Sequence, residues 1–456
     1  MSLLLDTQEW AQQQFASCDL GDVRRTCRLV KFASQVAADP DATTPGQTEQ
    51  WSDLKAAYRL IDNEHVTFDA IAGPHWQMTR QQGTGTYLIS CDTTEIDFGW
   101  DNEATGLGPL GRGSGRGFLL HSGLMIHPET EEAIGLAGQK IRHRKPAPKN
   151  ESSTRRLARD RESQVWGELI DQIGQPAEGV RFIDLCDRGA DNFEVYCKLL
   201  LNHHDWIVRA ARLKRVVKYQ GQEMPLADCL GKLPLAGTYK LTYRSTEHGW
   251  RTAQIEVRFG TVMMPAPRQK SPWLRALGIT TMGMNVVEVR EVKAPKGVEA
   301  LHWVLLTSLP VTTFDEAWTV IEHYEKRPIV EEFHKALKTG CRVEERQYET
   351  SERLETITAL LSVTAVRLLQ LRSASRATPE RPASEVVPPH WVTMLSCLRG
   401  GREIKTVHEF YRQLAGLGGH MLRKGDGKPG WITLWRGFEK LHMALRSVRQ
   451  YRRKCG

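Results

Sequence analysis

The sequence lacks several features that would assign it to a class at once. Its 9 cysteines are scattered singly with no CxxC pair, which argues against a zinc ribbon or a disulfide framework. No uninterrupted apolar run approaches the ~18 residues of a membrane-spanning helix. The stretch 357–371 is interrupted by Thr358, Thr364 and Arg367. The opening "MSLLLDTQEW" has no basic region before its leucines, so we expect no signal peptide and a cytoplasmic protein.

Positive charge is what the sequence has in excess. The formal net charge is +8, and the basic residues cluster in three separated places, at 24–31, 142–161 and 446–454. Separated basic clusters suit a long polyanion better than a small acidic metabolite. The charge pattern therefore favours a nucleic acid as the partner, and the alternative is a solvated basic surface.

The first 70 residues have the periodicity of helices. In "GDVRRTCRLVKFASQVA" one apolar stripe consists of Val23, Cys27, Val30, Ala33 and Ala37. Arg24, Arg25 and Arg28 lie outside this stripe, at polar positions of the same helix. A second helix is predicted in "DLKAAYRLID" after a turn-rich link. Two such helices suit a small DNA-binding unit.

Two aspartates follow apolar, β-prone runs. "TYLIS" leads to Asp92 and "GVRFIDLCD" ends in Asp187, so both are predicted at strand ends. Further strands are predicted from 238 to 292, and a polar, proline-bearing linker follows residue 373. The last helix carries an apolar stripe of Leu434, Phe438, Leu441, Leu445 and Val448.

The segment "YEKRPIVEEFHKALK", residues 324–338, gathers polar groups on one side if it forms one helix. At 100° per residue, the side chains that share the side of Glu331 are Tyr324, Arg327, Lys335 and Lys338. Apolar residues fill the opposite side, as in a helix packed on a core. The alternative is a solvated face with an i,i+4 pair between Glu331 and Lys335. Pro328 predicts that a helix begins there or is kinked.

Asp92, Asp187 and Glu331 could meet in space. Three carboxylates with few other ligands suit Mg²⁺, which prefers oxygen. Two such ions can activate an attacking oxygen and stabilise a leaving oxygen in phosphodiester chemistry. Spacing alone does not select this trio, because other carboxylates lie close to each of the three in the sequence.

At these motifs the sequence resembles a known family. Tyr324, Arg327, Glu331 and Lys338 match Y-(2)-R-(3)-E-(6)-K, the signature of the insertion-sequence-four family of bacterial DDE transposases. "LISCDTTEI" and "DLCDRGAD" are similar to the family's two aspartate motifs, in the same order. The resemblance extends over nearly the whole chain.

The resemblance implies an α/β fold with a ribonuclease-H-like core. It implies three domains: a helical DNA-end-binding domain (1–70), a catalytic domain (71–372) with a β-rich insertion at about 205–300, and a helical dimerisation domain (373–456). It also implies cut-and-paste transposition, by hydrolytic nicking, hairpin formation and opening, and transfer of the 3′-hydroxyl into target DNA. The expected place of action is the bacterial cytoplasm, at the nucleoid.

The resemblance also assigns roles by position. Asp92, Asp187 and Glu331 become ligands of two Mg²⁺ ions, for which Mn²⁺ can substitute. The expected DNA contacts are Tyr324, Arg327, Lys335, Lys338, Trp303, Arg24, Arg25 and Arg28, and Trp303 takes an extruded base. The expected partners are double-stranded transposon ends, target DNA and a second protomer.

Two positions depart from the family pattern: Pro328 inside the signature and Gly189 in place of an acidic residue. Two other functions stay open. One is a non-catalytic remnant that binds ends or represses, against which the intact carboxylates argue. The other is a metal-dependent nuclease that cuts without joining, against which the end-gripping signature and Trp303 argue. For the C-terminal stripe, the resemblance favours a partner protomer over packing within the chain.

Overall fold

The computed structural model describes residues 7–455 except 49, 112–114, 146, 147, 149, 153, 154, 156–158, 160, 246–248, 296, 378, 424–428 and 430. The α-helices are α1 (Thr7–Phe15), α2 (Val23–Ala38), α3 (Thr44–Gln47), α4 (Trp51–Ile61), α5 (Phe68–Arg80), α6 (Val165–Ile173), α7 (Phe193–Leu201), α8 (Leu226–Lys232), α9 (Pro272–Leu277), α10 (Phe314–Glu325), α11 (Ile329–Lys335), α12 (Ser351–Ala377), α13 (Pro389–Leu398), α14 (Val407–Leu417) and α15 (Trp431–Cys455). The strands are β1 (Gly85–Asp97), β2 (Gly108–Leu110), β3 (Gly115–Ile126), β4 (Ala133–Arg142), β5 (Val180–Cys186), β6 (Asp205–Arg209), β7 (Val216–Tyr219), β8 (Gln222–Pro225), β9 (Leu235–Ser245), β10 (Gly249–Pro265), β11 (Thr281–Val292) and β12 (His302–Thr307).

Five strands form the core sheet, in the order β4-β3-β1-β5-β6. The pairs β1–β3 and β3–β4 are antiparallel, whereas β5 runs parallel to β1 and β6 runs parallel to β5. Helices flank this mixed sheet. The arrangement is that of a ribonuclease-H-like core, so the predicted fold class is confirmed.

The β-rich segment continues the same sheet. β6 pairs antiparallel with β12, and the order proceeds through β11 and β10 to the remaining strands of the segment. β6 lies at the start of the 205–300 range, but its pairing with β5 makes it a core strand. The inserted strands therefore begin after β6.

Two apolar clusters cover the two faces of the sheet. Along β1, Leu88 belongs to one cluster, and Ile89 and Cys91 belong to the other, because successive side chains of a strand point to opposite faces. The first cluster also takes in α1, α2, α5, α11 and α12, and the second takes in α6 and α7. Which face a side chain occupies thus decides which helices it meets.

The N-terminal helices form as predicted, but the stripe on α2 is partly wrong. Val23 is 74% exposed and Cys27 is also exposed. The residues of α2 that are buried are Leu29, Val30, Phe32, Ala33, Val36 and Ala37. Burial begins only at Leu29, and the 3.6-residue period shows which face of a helix is apolar but not where along its length packing begins.

The C-terminal stripe packs mostly within the chain. Leu434, Phe438 and Leu441 on α15 are buried in the first apolar cluster, and the Phe438 ring lies 6.0 Å from that of Trp391 on α13. This corrects the expectation that the stripe as a whole faces a partner protomer. Val448 is 38% exposed, so a surface for a partner lies at most toward the end of the helix.

The predicted domain limits at 70 and 372 both fall inside helices, α5 and α12. The division into three domains stays a prediction. Among the residues that the structure describes, no helix is both long and apolar enough to cross a membrane.

Candidate active site

Asp92 and Asp187 are neighbours on adjacent parallel strands. Ser90 of β1 is opposite Leu185 of β5, and the same offset carried two residues further sets Asp92 opposite Asp187, just past the end of β5. Adjacent strands are about 4.8 Å apart. Both aspartates therefore lie at one edge of the core sheet.

The predicted single helix over 324–338 is wrong, and the reason is Pro328. α10 ends at Glu325, a turn follows, and α11 begins at Ile329 with Pro328 as its N-cap. Proline fits the beginning of a helix because it has no N–H to donate and its φ is already helical. A helix beginning at the proline was one of the two predicted outcomes.

The turn before α11 is fixed onto β1, the strand that carries Asp92. The buried Ser90 hydroxyl donates a hydrogen bond of 2.6 Å to the backbone carbonyl of Arg327. Ser90 is two residues before Asp92 on β1, so both side chains point to the same face of the sheet. This bond places the side chains of Arg327 and of the helix after it beside Asp92.

Arg327, expected to contact DNA, lies between two of the carboxylates in this structure. One of its nitrogens, Nη2, pairs with Glu331 Oε1 one helical turn away. The other, Nη1, is 3.7 Å from Asp92 Oδ1, is buried, and makes no hydrogen bond to any described residue. The guanidinium thus supplies positive charge to the carboxylate cluster, and the i,i+4 pair expected between Glu331 and Lys335 is replaced by this one.

The two aspartates differ in their electrostatics. Burial tends to raise the pKa of Asp92, but contact with His334 and the charge of Arg327 outweigh it, so this pKa lies below its usual value. Burial raises the pKa of Asp187, and the negative charges of Asp92 and Glu331 add to the rise. The Gly189 N–H donates to Asp187 Oδ1 at 2.7 Å and opposes it only in part. Asp187 is the carboxylate with the least compensation.

The three carboxylates have not closed onto a common point. Across the part of the chain that the structure describes, the one group of three possible metal ligands with all ligand atoms within 4.8 Å is Asp39, Asp41 and His442, away from this edge. Like charges repel, and Arg327 holds Glu331 toward itself. The ligand atoms of Asp92, Asp187 and Glu331 therefore do not all lie within 4.8 Å of one another.

Of the two lysines predicted beside Glu331, Lys335 lies one turn after it on the same helix, whereas Lys338 lies beyond the end of that helix. Lys335 is exposed at the end of α11. Lys338 lies in a π-helical turn, Ala336–Gly340, and its Nζ is 2.9 Å from Glu344 Oε1. The wider π turn changes the direction of its side chains, so the wheel drawn for a regular α-helix does not hold there.

Tyr324 and Trp303 form an aromatic pair. Their rings are 5.5 Å apart in an edge-to-face arrangement, and Tyr324 is buried while Trp303, on β12, is only partly so. Burial raises the pKa of the Tyr324 hydroxyl to about 12. The pair couples the end of α10 to the strand after the inserted segment.

A basic cleft of about 1790 Å³ opens beside the two aspartates. Its basic lining consists of Arg142, His143, Arg144, Lys145, Arg159, Arg161, Arg188, Arg212 and Arg268. Much of this charge is already paired with glutamates of the chain, at Arg142, Arg144, Arg159 and Arg161. The cleft exceeds the roughly 300–1,000 Å³ of a small-molecule pocket, as a polymeric ligand requires. Lys149 and Arg156 of the predicted cluster lie outside the described residues.

The three N-terminal arginines differ in how exposed their side chains are and in the contacts that they make within the chain. The Arg24 side chain is 88% exposed at the start of α2, where it pairs with Asp22. Arg25 donates to the carbonyl of Leu20, and Arg28 is 2.9 Å from Asp53 Oδ1 on α4. Arg24 is therefore the most available to an outside ligand. In α15, the side chains of the basic residues expected at 446, 449 and 452–454 lie outside the described residues.

Sequence reasoning missed three residues of this edge, namely Ser90, His334 and Trp166. His334 Nδ1 is 3.5 Å from Asp92 Oδ2, and its place one turn after Glu331 was the available signal. Trp166 lines the cleft, and its ring limits the space for a side chain at position 189, where this sequence has glycine. A Cβ there would lie 3.0 Å from both Trp166 Cζ2 and Asp187 Oδ1, so an acidic side chain would displace one of them.

The N-terminal region matches a known family. Residues 7–66 match the family model described as transposase DNA-binding. The match covers α1 to α4, including the three arginines. It supports a transposase that binds DNA through this region.

Proposed function

We propose that the chain is a DDE transposase of the insertion-sequence-four family, similar to the Tn-five transposase, that moves DNA by cutting and pasting. The observation that carries the proposal is that Asp92, Asp187 and Glu331 lie along one edge of a ribonuclease-H-like sheet, where a basic cleft opens beside the two aspartates. The N-terminal match supplies a DNA-binding region on the same chain. The proposed place of action is the bacterial cytoplasm.

The site fits two Mg²⁺ ions, with Mn²⁺ able to substitute, held by Asp92, Asp187 and Glu331. Carboxylate oxygens are the donors that hard cations prefer. The raised pKa of Asp187 reflects burial and uncompensated negative charge, which a cation would relieve. Bound cations would activate the attacking oxygen and stabilise the leaving oxygen of the phosphodiester.

The side chains around the carboxylates would hold the DNA end. Arg327, Lys335 and Lys338 are cations along one segment, suited to phosphate contacts that set the register of the end. Tyr324 offers a hydroxyl beside them. Trp303 is partly exposed, so its ring could stack on an extruded base, an interaction worth about 1–3 kcal/mol. Nicking, hairpin formation and opening, and strand transfer would then occur on one held end.

The test uses a linear donor that carries both of the element's inverted repeats, a target plasmid and Mg²⁺, with sequencing of the products. We expect hairpin-ended intermediates and donor ends joined to the target through their 3′-hydroxyls. Binding without cleavage would instead indicate a repressor-like remnant. Cleavage without joining would indicate a nuclease.

The proposed assembly is a dimer that holds two transposon ends. Each active site would act on the end held mainly by the other protomer's N-terminal domain. Mixing a Glu331→Ala protomer with one in which Arg24, Arg25 and Arg28 are alanine should restore cleavage that neither variant shows alone. Failure of the mixture, together with efficient cutting of single-end DNA by monomeric wild-type protein, would contradict action in trans.

A further inference from the structure

His334 is enclosed between α11 and the catalytic strand. It follows Glu331 by three residues and so lies on the same side of the helix. Its side chain is 7% exposed. A side chain this enclosed does not reach a DNA phosphate, and it is not part of the four-residue signature.

The carboxylate of Asp92 is contacted at both of its oxygens. His334 Nδ1 lies 3.5 Å from Oδ2, and Arg327 Nη1 lies 3.7 Å from Oδ1. Both distances are longer than those of strong hydrogen bonds, so each contact is weak on its own. Two contacts on opposite oxygens nevertheless restrict rotation of the carboxylate, whereas one would leave it free to turn.

Packing alone does not explain a histidine at this position. Its Nε2 is buried and has no hydrogen-bond partner among the described residues. An unpaired buried polar atom costs about 1–3 kcal/mol, which a leucine of similar size would avoid. The neighbours of His334 on α11, Val330 and Phe333, are fully buried apolar residues, so a third apolar side chain would suit the interface.

We infer that His334 is a positioning residue for Asp92, which keeps one carboxylate oxygen turned toward the cleft and ready to bind a cation. The inference rests on the proposed function, since it gives Asp92 a role as a metal ligand. Groups that orient metal ligands change metal affinity or activity by about 10–100-fold when they are removed. Arg327 is expected to leave Asp92 once it binds a phosphate, and His334 would then be the side chain that still contacts this carboxylate, beside the backbone N–H of Thr93.

The test compares His334→Leu with His334→Asn. The amide nitrogen of asparagine can occupy the position of Nδ1 and donate to Asp92, whereas leucine fills the space without a donor. We expect His334→Leu to weaken Mn²⁺ binding and slow end cleavage, each by about 10–100-fold. For His334→Asn, both Mn²⁺ affinity and the cleavage rate should stay within about threefold of the wild-type values. A threefold change corresponds to the lower part of the free-energy range that one ordinary hydrogen bond contributes.

Two readouts separate positioning from structure. The first is Mn²⁺ affinity of the DNA-free protein, measured by electron paramagnetic resonance. The second is thermal unfolding, which we expect His334→Leu to leave unchanged or raised. His323→Leu is the matched control, because His323 lies on α10 and has no contact with a carboxylate among the ion pairs of the described residues. It should change neither Mn²⁺ affinity nor cleavage.

The outcomes distinguish this inference from the proposed function. Normal cleavage by Asp92→Asn would remove Asp92 from the catalytic set, and the proposed function would fail with it. If Asp92→Asn is inactive but His334→Leu binds Mn²⁺ and cleaves as the wild type does, only the role of His334 is refuted. An asparagine variant as defective as the leucine variant, both folded, would also refute it.

Discussion

Two regions of the molecule bury polar groups, and they treat them differently. At the N-terminal seam, where residues 7–80 meet the sheet and the long helix α12, His75 and Thr356 find partners, although Trp76 Nε1 and Asp41 Oδ1 have no hydrogen-bond partner among the described residues. His75 there contacts Gln14 Oε1 through Nδ1 at 2.7 Å, and its Nε2 accepts from the Leu136 N–H at 3.0 Å. Thr356 likewise donates to the carbonyl of Val66 at 3.1 Å.

At the edge that carries Asp92 and Asp187, several buried polar groups lack hydrogen-bond partners among the described residues. Arg327 Nη1 and His334 Nε2 are buried without hydrogen bonds to described residues, and Asp187 keeps a charge that its surroundings disfavour. Buried polar groups that have hydrogen-bond partners stabilise a fold. Buried polar groups without partners occur at functional sites, where a bound ligand can supply the missing partner. The seam should therefore matter for stability and the edge for chemistry.

The largest expected effect is on chemistry at the edge. Replacing Asp92, Asp187 or Glu331 by alanine should each lower cleavage by about 10³-fold or more, because metal-based charge stabilisation is worth several kcal/mol. End binding should change little, since basic contacts elsewhere supply most of it. Nicking and binding assays in Mg²⁺ check this, and normal nicking by one variant would exclude that residue.

The next effect concerns stability at the seam. His75→Leu leaves Gln14 Oε1 and the Leu136 N–H buried without their partner, which should cost about 2–4 kcal/mol of unfolding free energy. Urea unfolding measures the loss, and His334→Leu is the matched control, for which we expect no loss because the Nε2 that it removes has no hydrogen-bond partner among the described residues. Equal losses at the two histidines would break the comparison between the regions.

The seam should also respond to acid. Burial lowers the pKa of His75 from 6.5 to about 4 in the folded protein. Between these values the unfolded chain binds more protons, so stability is full above pH 6.5 and falls as the pH drops toward 4. His75 should account for about 2 kcal/mol of lost unfolding free energy between pH 7 and pH 5. The loss over that interval should be smaller by this amount in His75→Leu, and identical losses would refute the assignment.

The smallest effect is on DNA binding by one exposed side chain. Arg24→Ala should weaken binding to the cognate end and lower the slope of log affinity against log salt by about one. Arg24→Ala removes a partner of the partly exposed Asp22, whereas Arg28→Ala removes a partner of the buried Asp53 and is therefore less selective. Fluorescence anisotropy over a salt series measures the affinity and its salt dependence for both variants. An unchanged slope for Arg24→Ala would mean that Arg24 is a solvated surface residue that does not contact DNA.

The sequence was sufficient where local pattern decides the structure. Apolar runs located the two strands, although β1 continues five residues past Asp92 to Asp97, whereas β5 ends directly before Asp187 as predicted. A signature of fixed spacing singled out Glu331. The contact of His334 with Asp92 joins residues far apart in the chain, so no local pattern contains it. The ion pair of Arg327 depends on the turn that Ser90 fixes to β1.

Helical periodicity predicted which face of a helix is apolar, but it did not predict which part of the structure packs against that face. It found the buried residues of α15 but did not show that Leu434, Phe438 and Leu441 pack on their own chain. On α2 it placed Val23 in the apolar stripe, although burial begins one to two turns later. Which surface covers an apolar face is decided by tertiary packing.

The central claim, that this edge cuts DNA and joins it, is tested most directly by strand transfer from a pre-cut end. A labelled end with a free 3′-hydroxyl is incubated with target plasmid and Mg²⁺, and the joined product is sequenced. We expect a covalent joint at the 3′-hydroxyl with the wild type and none with Glu331→Ala. Target DNA that is only hydrolysed, or joints that form equally well with Glu331→Ala, would contradict the account.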